Sequence, residues 1–289
     1  KAEMALAVKP DSILETIIVM ESLKGERKQG VYHFNEVLEI GRKHLDLTEL
    51  DASINAARPE DVVSIIYTSG TTGRPKGAML THANWMAAMK QFTDPTLVRR
   101  QGQDKDLHLL FLVHLPICHV YGRSCDYHVG GLSQRGILAF EPDFGRIPKT
   151  LKELRPNVII SIPRFFEKVY DQITSAVAKQ PGAVQSLFAW AMRQGGKFSD
   201  AMASGTRLGM LDLFLFSQAN ILVFNKLRKE AGLDRLVMAG SGGGKLSKDV
   251  CTFMRSLGVQ LTEGYGLTET AAVLNYNAPE FRGLDRDNL

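Results

Sequence analysis

Seven short runs along the chain are apolar, most of them at consecutive rather than alternate positions: Thr16–Met20, Val62–Thr68, Leu109–Leu115, Gly136–Phe140, Val158–Ile162, Arg235–Ala239 and Val259–Thr262. A strand with one wet face alternates, so continuous apolarity marks a strand covered on both sides. Between the runs lie stretches with helical spacing. Asn35–His44 sets Val37, Leu38 and Ile40 on one side, and Arg164–Ala178 follows the breaker Pro163. A long helical pair fills Val184–Lys229. Ser247 stands as an N-cap before Val250, Phe253, Met254 and Leu257, with Gly258 as terminator. This alternation predicts an α/β fold, mainly parallel β-sheet layered with helices. Leu45–Asp61, rich in small and charged residues and carrying Pro59, reads as a linker. It divides residues 1–58, the end of a first α/β subdomain, from a core over residues 59–289.

Composition narrows the function. Lys plus Arg exceed Asp plus Glu only by 35 to 31, scattered along 289 residues, so a nucleic-acid partner is not expected. The mild basic excess suits an anionic small molecule. Cys118, Cys125 and Cys251 make neither a disulfide framework nor a CxxC zinc site, which points to a reducing, cytoplasmic compartment. Lys1, Glu3, Lys9, Asp11 and Glu15 break any signal-peptide pattern. The apolar stretch Leu211–Phe224 is too short and too interrupted to span a bilayer. It reads first as a core helix and second as a peripheral membrane contact.

The most informative stretch is Tyr67-Thr-Ser-Gly-Thr-Thr-Gly-Arg-Pro-Lys-Gly77, between an apolar strand and a helix expected near Thr81. It gathers Thr68, Ser69, Thr71, Thr72, three glycines (Gly70, Gly73 and Gly77) and Lys76. Glycines let backbone N–H groups turn inward, hydroxyls donate, and lysine supplies a point charge, which together make an anion-binding loop. With about 1.5–3 kcal/mol per hydrogen bond to a charged phosphate oxygen, four or five such bonds hold a polyphosphate. A plain polar turn needs neither the second glycine nor the lysine. The order Gly70-x-x-Gly73-x-x-Lys76-Gly77 is neither a Walker A nor a dinucleotide fingerprint.

YTSGTTGRPKGAMLTH resembles the signature loop of the adenylate-forming superfamily: acyl-CoA synthetases, aryl-CoA ligases, luciferases and peptide-synthetase adenylation domains. The resemblance implies that Ser69, Thr71, Thr72 and Lys76 hold the β- and γ-phosphates of ATP and then the departing pyrophosphate.

Two further segments fall in the order that family has. Glu263-Gly-Tyr-Gly-Leu-Thr-Glu-Thr270 offers an aromatic face (Tyr265), a hydroxyl (Thr268) and a carboxylate (Glu269) on a glycine-punctuated turn. Such a set can stack a base, contact a phosphate and hold a hard cation. It resembles the family's YGxTE motif, which implies Tyr265 on adenine, Thr268 on the α-phosphate and Glu269 on Mg²⁺, with Glu263, Gly264 and Gly266 in the nucleotide site. Ala239-Gly-Ser-Gly-Gly-Gly-Lys-Leu-Ser247 joins a strand to a helix, and its glycines permit close approach to a flat ligand. It is similar to the family's adenine-pocket segment, which places Gly242, Gly243 and Gly244 beside the base. Here Gly244-Lys245 stand where the family has Ala-Pro.

Leu115-Pro-Ile-Cys-His-Val-Tyr-Gly-Arg123 resembles a third family motif, in the LPxxHVxxR form of long-chain acyl-CoA synthetases. That implies His119 beside the substrate carboxylate. Leu154–Tyr170 is close to the same branch's "RPT…VPRxxEKVY" block, and the helical insert Val184–Lys229 fits it too. The other histidines and the Cys118/Cys125 pair read as structural. The resemblance therefore implies ATP-dependent activation of a long-chain fatty acid through acyl-AMP to acyl-CoA, with coenzyme A as co-substrate. Lys76, Thr268, Glu269 and His119 would be the catalytic set. Adenylation of an aryl, medium-chain or amino acid, or nucleotide binding without turnover, remain the alternatives, and the oligomeric state is open. The family's ribose-binding Asp and catalytic Lys have no counterpart here, since Asp285 and Asp287 lack the motif context. The expectation is a core without its C-terminal lid domain that binds nucleotide weakly and does not complete the reaction alone.

Overall fold

The computed structural model describes residues 15–20, 29–68, 73–92, 109–133 and 136–277. The chain divides into two compact units, residues 1–58 and 59–289. In the first, β1 (Ile17–Val19) pairs in parallel with β2 (Val31–His33), Ile17 opposite Val31. Helix α1 (Phe34–His44) starts at a capping box in which His33 accepts from the Asn35 N–H while its own N–H donates to Glu36. The stretch read as a linker contains α2 (Leu47–Ala56). Asp46 caps it by accepting from the Thr48 and Glu49 N–H groups at 2.9 and 3.2 Å. Its small and charged side chains belong to an exposed helix, which composition alone does not separate from a linker.

The second unit opens with an antiparallel hairpin, β3 (Val62–Thr68) and β4 (Lys76–Thr81), followed by α3 (His82–Phe92). The sequence predicts the helix start correctly but not β4. Thr81 and Asn84 cap the helix reciprocally through their side chains. The expectation that Val62–Thr68 is covered on both faces fails: Val62, Val63, Ile65 and Tyr67 are 46–72% exposed. A two-stranded antiparallel ribbon needs only one covered face.

The remaining strands form one sheet: β5 (Leu110–Val113), β6 (Ile137–Phe140), β7 (Val158–Ser161), β8 (Met238–Ser241), β9 (Leu261–Leu267) and β10 (Ala272–Tyr276). Their spatial order is β10-β9-β8-β7-β5-β6, parallel throughout except for the β9–β10 hairpin. The crossovers are helical. α4 (Val120–Gly122) runs straight into a π-helix, Arg123–Ser133, between β5 and β6. α5 (Ile147–Leu154) links β6 to β7. Then α6 (Pro163–Ala178), α7 (Gly182–Ser204), α8 (Met210–Ala219), a π-turn (Asn220–Phe224) and α9 (Asn225–Ala231) lead to β8, and α10 (Lys248–Ser256) leads to β9. Ser247 occupies the N-cap position of α10 without a side-chain capping bond, and Gly258 ends the helix with φ of 76°.

Neighbouring residues of the inner strands are buried on opposite sheet faces. Leu112, Ile159, Ala239 and Leu261 pack under α6 to α10 with Phe166, Phe216, Phe224 and Met254. Phe111, Val113, Val158, Ile160 and Met238 pack on the other side with Leu80, Trp85 and Tyr121. That double burial is what their continuous apolarity predicts.

Candidate functional site

Because β5, β7, β8 and the first half of β9 are parallel, the segments that follow them emerge at one end of the sheet. Ligands of open α/β sheets bind at this carboxyl edge. The segments emerging there are His114–His119, Ile162–Pro163 and Gly242–Ser247. Beyond the last β8–β9 pair, Ser241 with Glu263, the Gly264–Leu267 half of β9 continues past β8 and, among the described strands, pairs only with β10.

The glycine-rich loop is held at its neck by the hairpin. Thr68 and Lys76 are register partners, and the Thr68 hydroxyl donates to the Lys76 carbonyl at 3.4 Å. Lys76 and Gly73 are exposed. Ser69, Gly70, Thr71 and Thr72 lie outside the described residues. β4 passes against the Thr268–Thr270 turn, so the lysine-bearing strand and the carboxylate-bearing turn are neighbours although about 190 positions separate them in sequence.

The second segment differs from its sequence reading. Glu263–Gly266 is strand, not turn; the turn proper is the single 3₁₀ turn Thr268–Thr270. Gly266 lies so close to β10 that a Cβ there would sit 1.5 Å from the Ala272 carbonyl oxygen, which only glycine avoids. Tyr265 and Glu269 are exposed and Thr268 is half-buried. Glu263 points back to the third segment: its Oε1 accepts from the Leu246 N–H at 3.0 Å, fastening the glycine loop after β8 to β9. Gly242 is buried and donates from its N–H to the Ser161 carbonyl at 3.1 Å, while Gly243 and Gly244 are exposed.

His119 is exposed and caps α4, its Nδ1 accepting from the Tyr121 N–H at 3.2 Å. Tyr121 is the residue that sequence reasoning missed. Its hydroxyl donates to the Ser161 carbonyl at 3.3 Å, and its ring lies where a Cβ on Gly242 would come within 2.8 Å of it. The histidine motif and the glycine loop therefore meet through this ring. It stands two positions after His119, inside the motif already singled out, and its aromatic side chain was the available signal.

Tyr121 also walls a crevice lined by Cys125, Ile160, Met238, Gly240, Ser241, Thr262, Gly264, Val273 and Tyr276. Burial pushes the Tyr121 phenol, the Cys125 thiol and the neighbouring Asp126 carboxyl all upward, so each favours its uncharged form. Cys125, read as structural, is thus a crevice wall as well. Arg123 ties the π-helix to the hairpin by donating to the Ser64 hydroxyl at 2.9 Å. Among the described residues no three His, Cys, Asp or Glu side chains gather as a metal cage. Glu269 is an exposed carboxylate on the turn that β4 passes, a hard oxygen donor of the kind a divalent cation would take.

Comparison with known proteins gives a consistent picture. A family described as AMP-binding enzyme matches residues 2–288. Long-chain-fatty-acid–CoA ligase ACSBG2 of Xenopus laevis is 30% identical over 272 residues, which is 92% of this chain and 36% of that protein. The rat protein of the same name is 32% identical over 91% of this chain and 39% of its own length. Long chain acyl-CoA synthetase 7, peroxisomal, of Arabidopsis thaliana is 31% identical over 85% of this chain and 32% of its own length. The chain thus spans little more than a third of the curated relatives it matches. Among solved structures, the anthranilate CoA ligase AuaEII in complex with anthranoyl-AMP superposes with a TM-score of 0.55 at 16% identity, covering 96% of this chain and 41% of that one. The adenylation domain of a carboxylate reductase from Mycobacterium chelonae gives 0.52 at 21%, covering 86% of this chain and 32% of that one. Those two likenesses establish the fold.

Proposed function

The chain belongs to the AMP-binding enzyme family, and from that premise we propose that it forms the adenylating core of a long-chain fatty acid–CoA ligase. Its parent activates the acid with ATP to acyl-AMP and pyrophosphate, then passes the acyl group to coenzyme A. The observation that carries this reading is the meeting of three segments at the carboxyl edge of one sheet, beside a crevice whose wall is uncharged. The choice of a long-chain acid is supported by relatives of 30% and 32% identity that are named long-chain-fatty-acid–CoA ligases.

In this reading the loop from Thr68 to Lys76 grips the β- and γ-phosphates. Lys76 offsets charge on the departing pyrophosphate, where an oriented cation is most effective. Tyr265 presents its ring to adenine, and Gly242, Gly243 and Gly244 let the backbone come against it. Thr268 steadies the α-phosphoryl group, and His119 orients the acid carboxylate for in-line attack. Most of the gain is positional, since the two reacting groups are both anionic. Glu269 would hold Mg²⁺, which when bound neutralises phosphate charge. Glu263 keeps the glycine loop in place. The three cysteines are free, in keeping with a cytoplasmic site of action.

The test uses non-hydrolysable acyl-adenylates with decanoyl, palmitoyl and benzoyl groups, titrated into the 289-residue chain by calorimetry. Palmitoyl-adenylate should bind at least about tenfold more tightly than the benzoyl compound. Lys76→Ala and Tyr265→Ala should each weaken it by about tenfold. In the intact ligase, Glu269→Ala or Thr72→Ala should cut acid-dependent ATP–pyrophosphate exchange by about tenfold or more. A preference for the benzoyl compound overturns the long-chain assignment, and unchanged exchange overturns the residue roles.

A further inference from the structure

The glycine loop after β8 and the start of α6 lie against each other at the carboxyl edge. A Cβ on Gly243 would come within 3.8 Å of the Ile162 side chain, and one on Gly244 within 3.6 Å of the Pro163 ring. Each segment leads into a helix, α6 of 16 residues and α10 of nine, and the two helices pack together. Neither has a side-chain capping bond at its N-terminus. Two positive helix ends without a side-chain acceptor are thus brought side by side.

The strand ends beneath them add an independent feature. Ser161 and Ser241 are register partners, the last pair of β7 and β8. Ile159 and Ala239, two positions earlier, pack under the helices, so by strand alternation both serine side chains face the side on which α6 and α10 begin. Glu263, opposite Ser241 on β9, reaches the Leu246 N–H from that same face. The serines are 0 and 1% exposed, and among the described residues neither hydroxyl has a hydrogen-bond partner. Buried hydroxyls are costly to leave unpaired, so two on adjacent strands mark a place that a ligand completes.

Charge decides which ligand. Arg164 follows Pro163, Lys245 follows Gly244 and Lys248 opens α10, all three exposed. None of them joins an ion pair among the described residues. Lys168, one turn further along α6, lies over the Phe144 ring at 4.6 Å. The acids on these turns are Glu167 and Asp249, both exposed, and Glu263, already engaged by the Leu246 N–H. Lys245 is also where this sequence departs from the family's Ala-Pro, so that cation is a feature of this chain.

We propose that the starts of α6 and α10 form a second phosphate-binding site, on other elements than the glycine-rich loop. Arg164, Lys245 and Lys248 meet the phosphate oxygens, and the helix ends and the two serine hydroxyls donate to them. Two sources carry such a group, the phosphorylated end of coenzyme A and free phosphate or pyrophosphate. The site requires neither an acid substrate nor the adenylation reaction.

The experiment is calorimetric titration of inorganic pyrophosphate, at low ionic strength, into the Lys76→Ala chain, whose glycine-rich loop has lost its cation. That chain should still bind pyrophosphate, and Arg164→Gln/Lys245→Gln added to it should weaken binding by at least about tenfold. Ser241→Ala should weaken binding by about threefold or more while leaving the unliganded chain at least as stable in urea, because it removes an unpaired hydroxyl. A serine that only holds the fold together would lose stability instead. Coenzyme A and inorganic phosphate are titrated into the same chains. Tighter binding of coenzyme A, lost in the charge variant, names the cofactor's phosphates as the source, equal binding names free phosphate, and either upholds the site. Arg164 and Lys245 are exposed, and far-UV circular dichroism of each variant verifies an intact fold. The proposal is overturned if Lys76→Ala alone abolishes pyrophosphate binding, or if the charge variant binds as its parent does. Failure of the acyl-adenylate titration would remove the proposed reaction and leave this result standing.

Discussion

Strands β3 and β7 read alike in sequence and differ in the folded chain. Val-Val-Ser-Ile-Ile-Tyr-Thr and Val-Ile-Ile-Ser are both short, mainly apolar and rich in β-branched residues. All four residues of β7 are buried, Val158 and Ile160 on one sheet face and Ile159 on the other. In β3 no residue is fully buried. β7 lies between β5 and β8, with helices below and the π-helix side above, whereas among the described residues β3 pairs only with β4. The two play different parts. β7 fixes the edge from which the site segments emerge, and β3 pairs with the lysine-bearing strand β4 on a narrow ribbon. A two-stranded ribbon is marginal by itself, so this part of the unit should open at lower free energy than the core sheet.

The largest test of this contrast is one substitution made twice. Ile159→Ala should cost about 2–5 kcal/mol, as a buried aliphatic truncation in a packed sheet does. Ile65→Ala, on a residue 56% exposed, should stay within about 0.5 kcal/mol. Urea unfolding with unchanged m-values measures both. Equal losses would mean that β3 is covered in solution, and the contrast would collapse.

Next in size is a pH effect at the buried end of the sheet. His114 follows β5 and stacks on Phe165 with ring centroids 5.8 Å apart. Burial depresses its pKa from 6.5 to about 4, an effect partly offset by its own backbone. The unfolded chain then takes up a proton before the folded one does. The stabilising effect of keeping His114 neutral is complete above pH 6.5 and is lost as the pH falls toward 4, by about 3 kcal/mol at most. Thermal unfolding between pH 7 and 4 should show that slope, and His114→Phe should flatten it. The same substitution at His82, exposed just after β4, is the control from the hairpin side. An unaltered slope in His114→Phe would place the proton uptake elsewhere.

How far the sequence reaches follows from the same contrast. Continuous apolar runs located β5 and β7 to within two residues, because both faces of those strands are covered by elements of the same unit, whereas the run Val259–Thr262 caught only the buried start of β9. The same signal misjudged the burial of β3, since an apolar run requires cover but does not name it. β4 and β10 were missed for a different reason. Lys76–Thr81 lies within a loop motif whose glycines and lysine dominate its composition, and Ala272–Tyr276 is reached through Ala271 and Ala272, both at positive φ without a glycine to announce it. The π-helix Arg123–Ser133 has no sequence signature, so Cys125 could not be placed on a crevice in advance. In the site, Gly242 and Glu263 were singled out for a ligand. Each also has a partner inside the protein, the Ser161 carbonyl and the Leu246 N–H, which a motif does not reveal.

The smallest test separates the two regions by one hydroxyl. Tyr121 and Tyr67 are both aromatic residues beside site segments, but Tyr121 is 9% exposed and Tyr67 72%. In Tyr121→Phe the ring still fills the space under Gly242, and the bond to the Ser161 carbonyl is lost. That carbonyl keeps its second partner, the Gly242 N–H at 3.1 Å, so no buried acceptor is left bare. The cost should therefore fall near the lower end of a net hydrogen bond, about 0.5–1 kcal/mol. Tyr67→Phe removes a hydroxyl from an exposed ring and should change stability by less than about 0.5 kcal/mol. Chemical denaturation of the pair, done side by side, resolves the difference. A Tyr121→Phe protein as stable as its parent would mean that the link between the histidine motif and the glycine loop rests on ring packing alone.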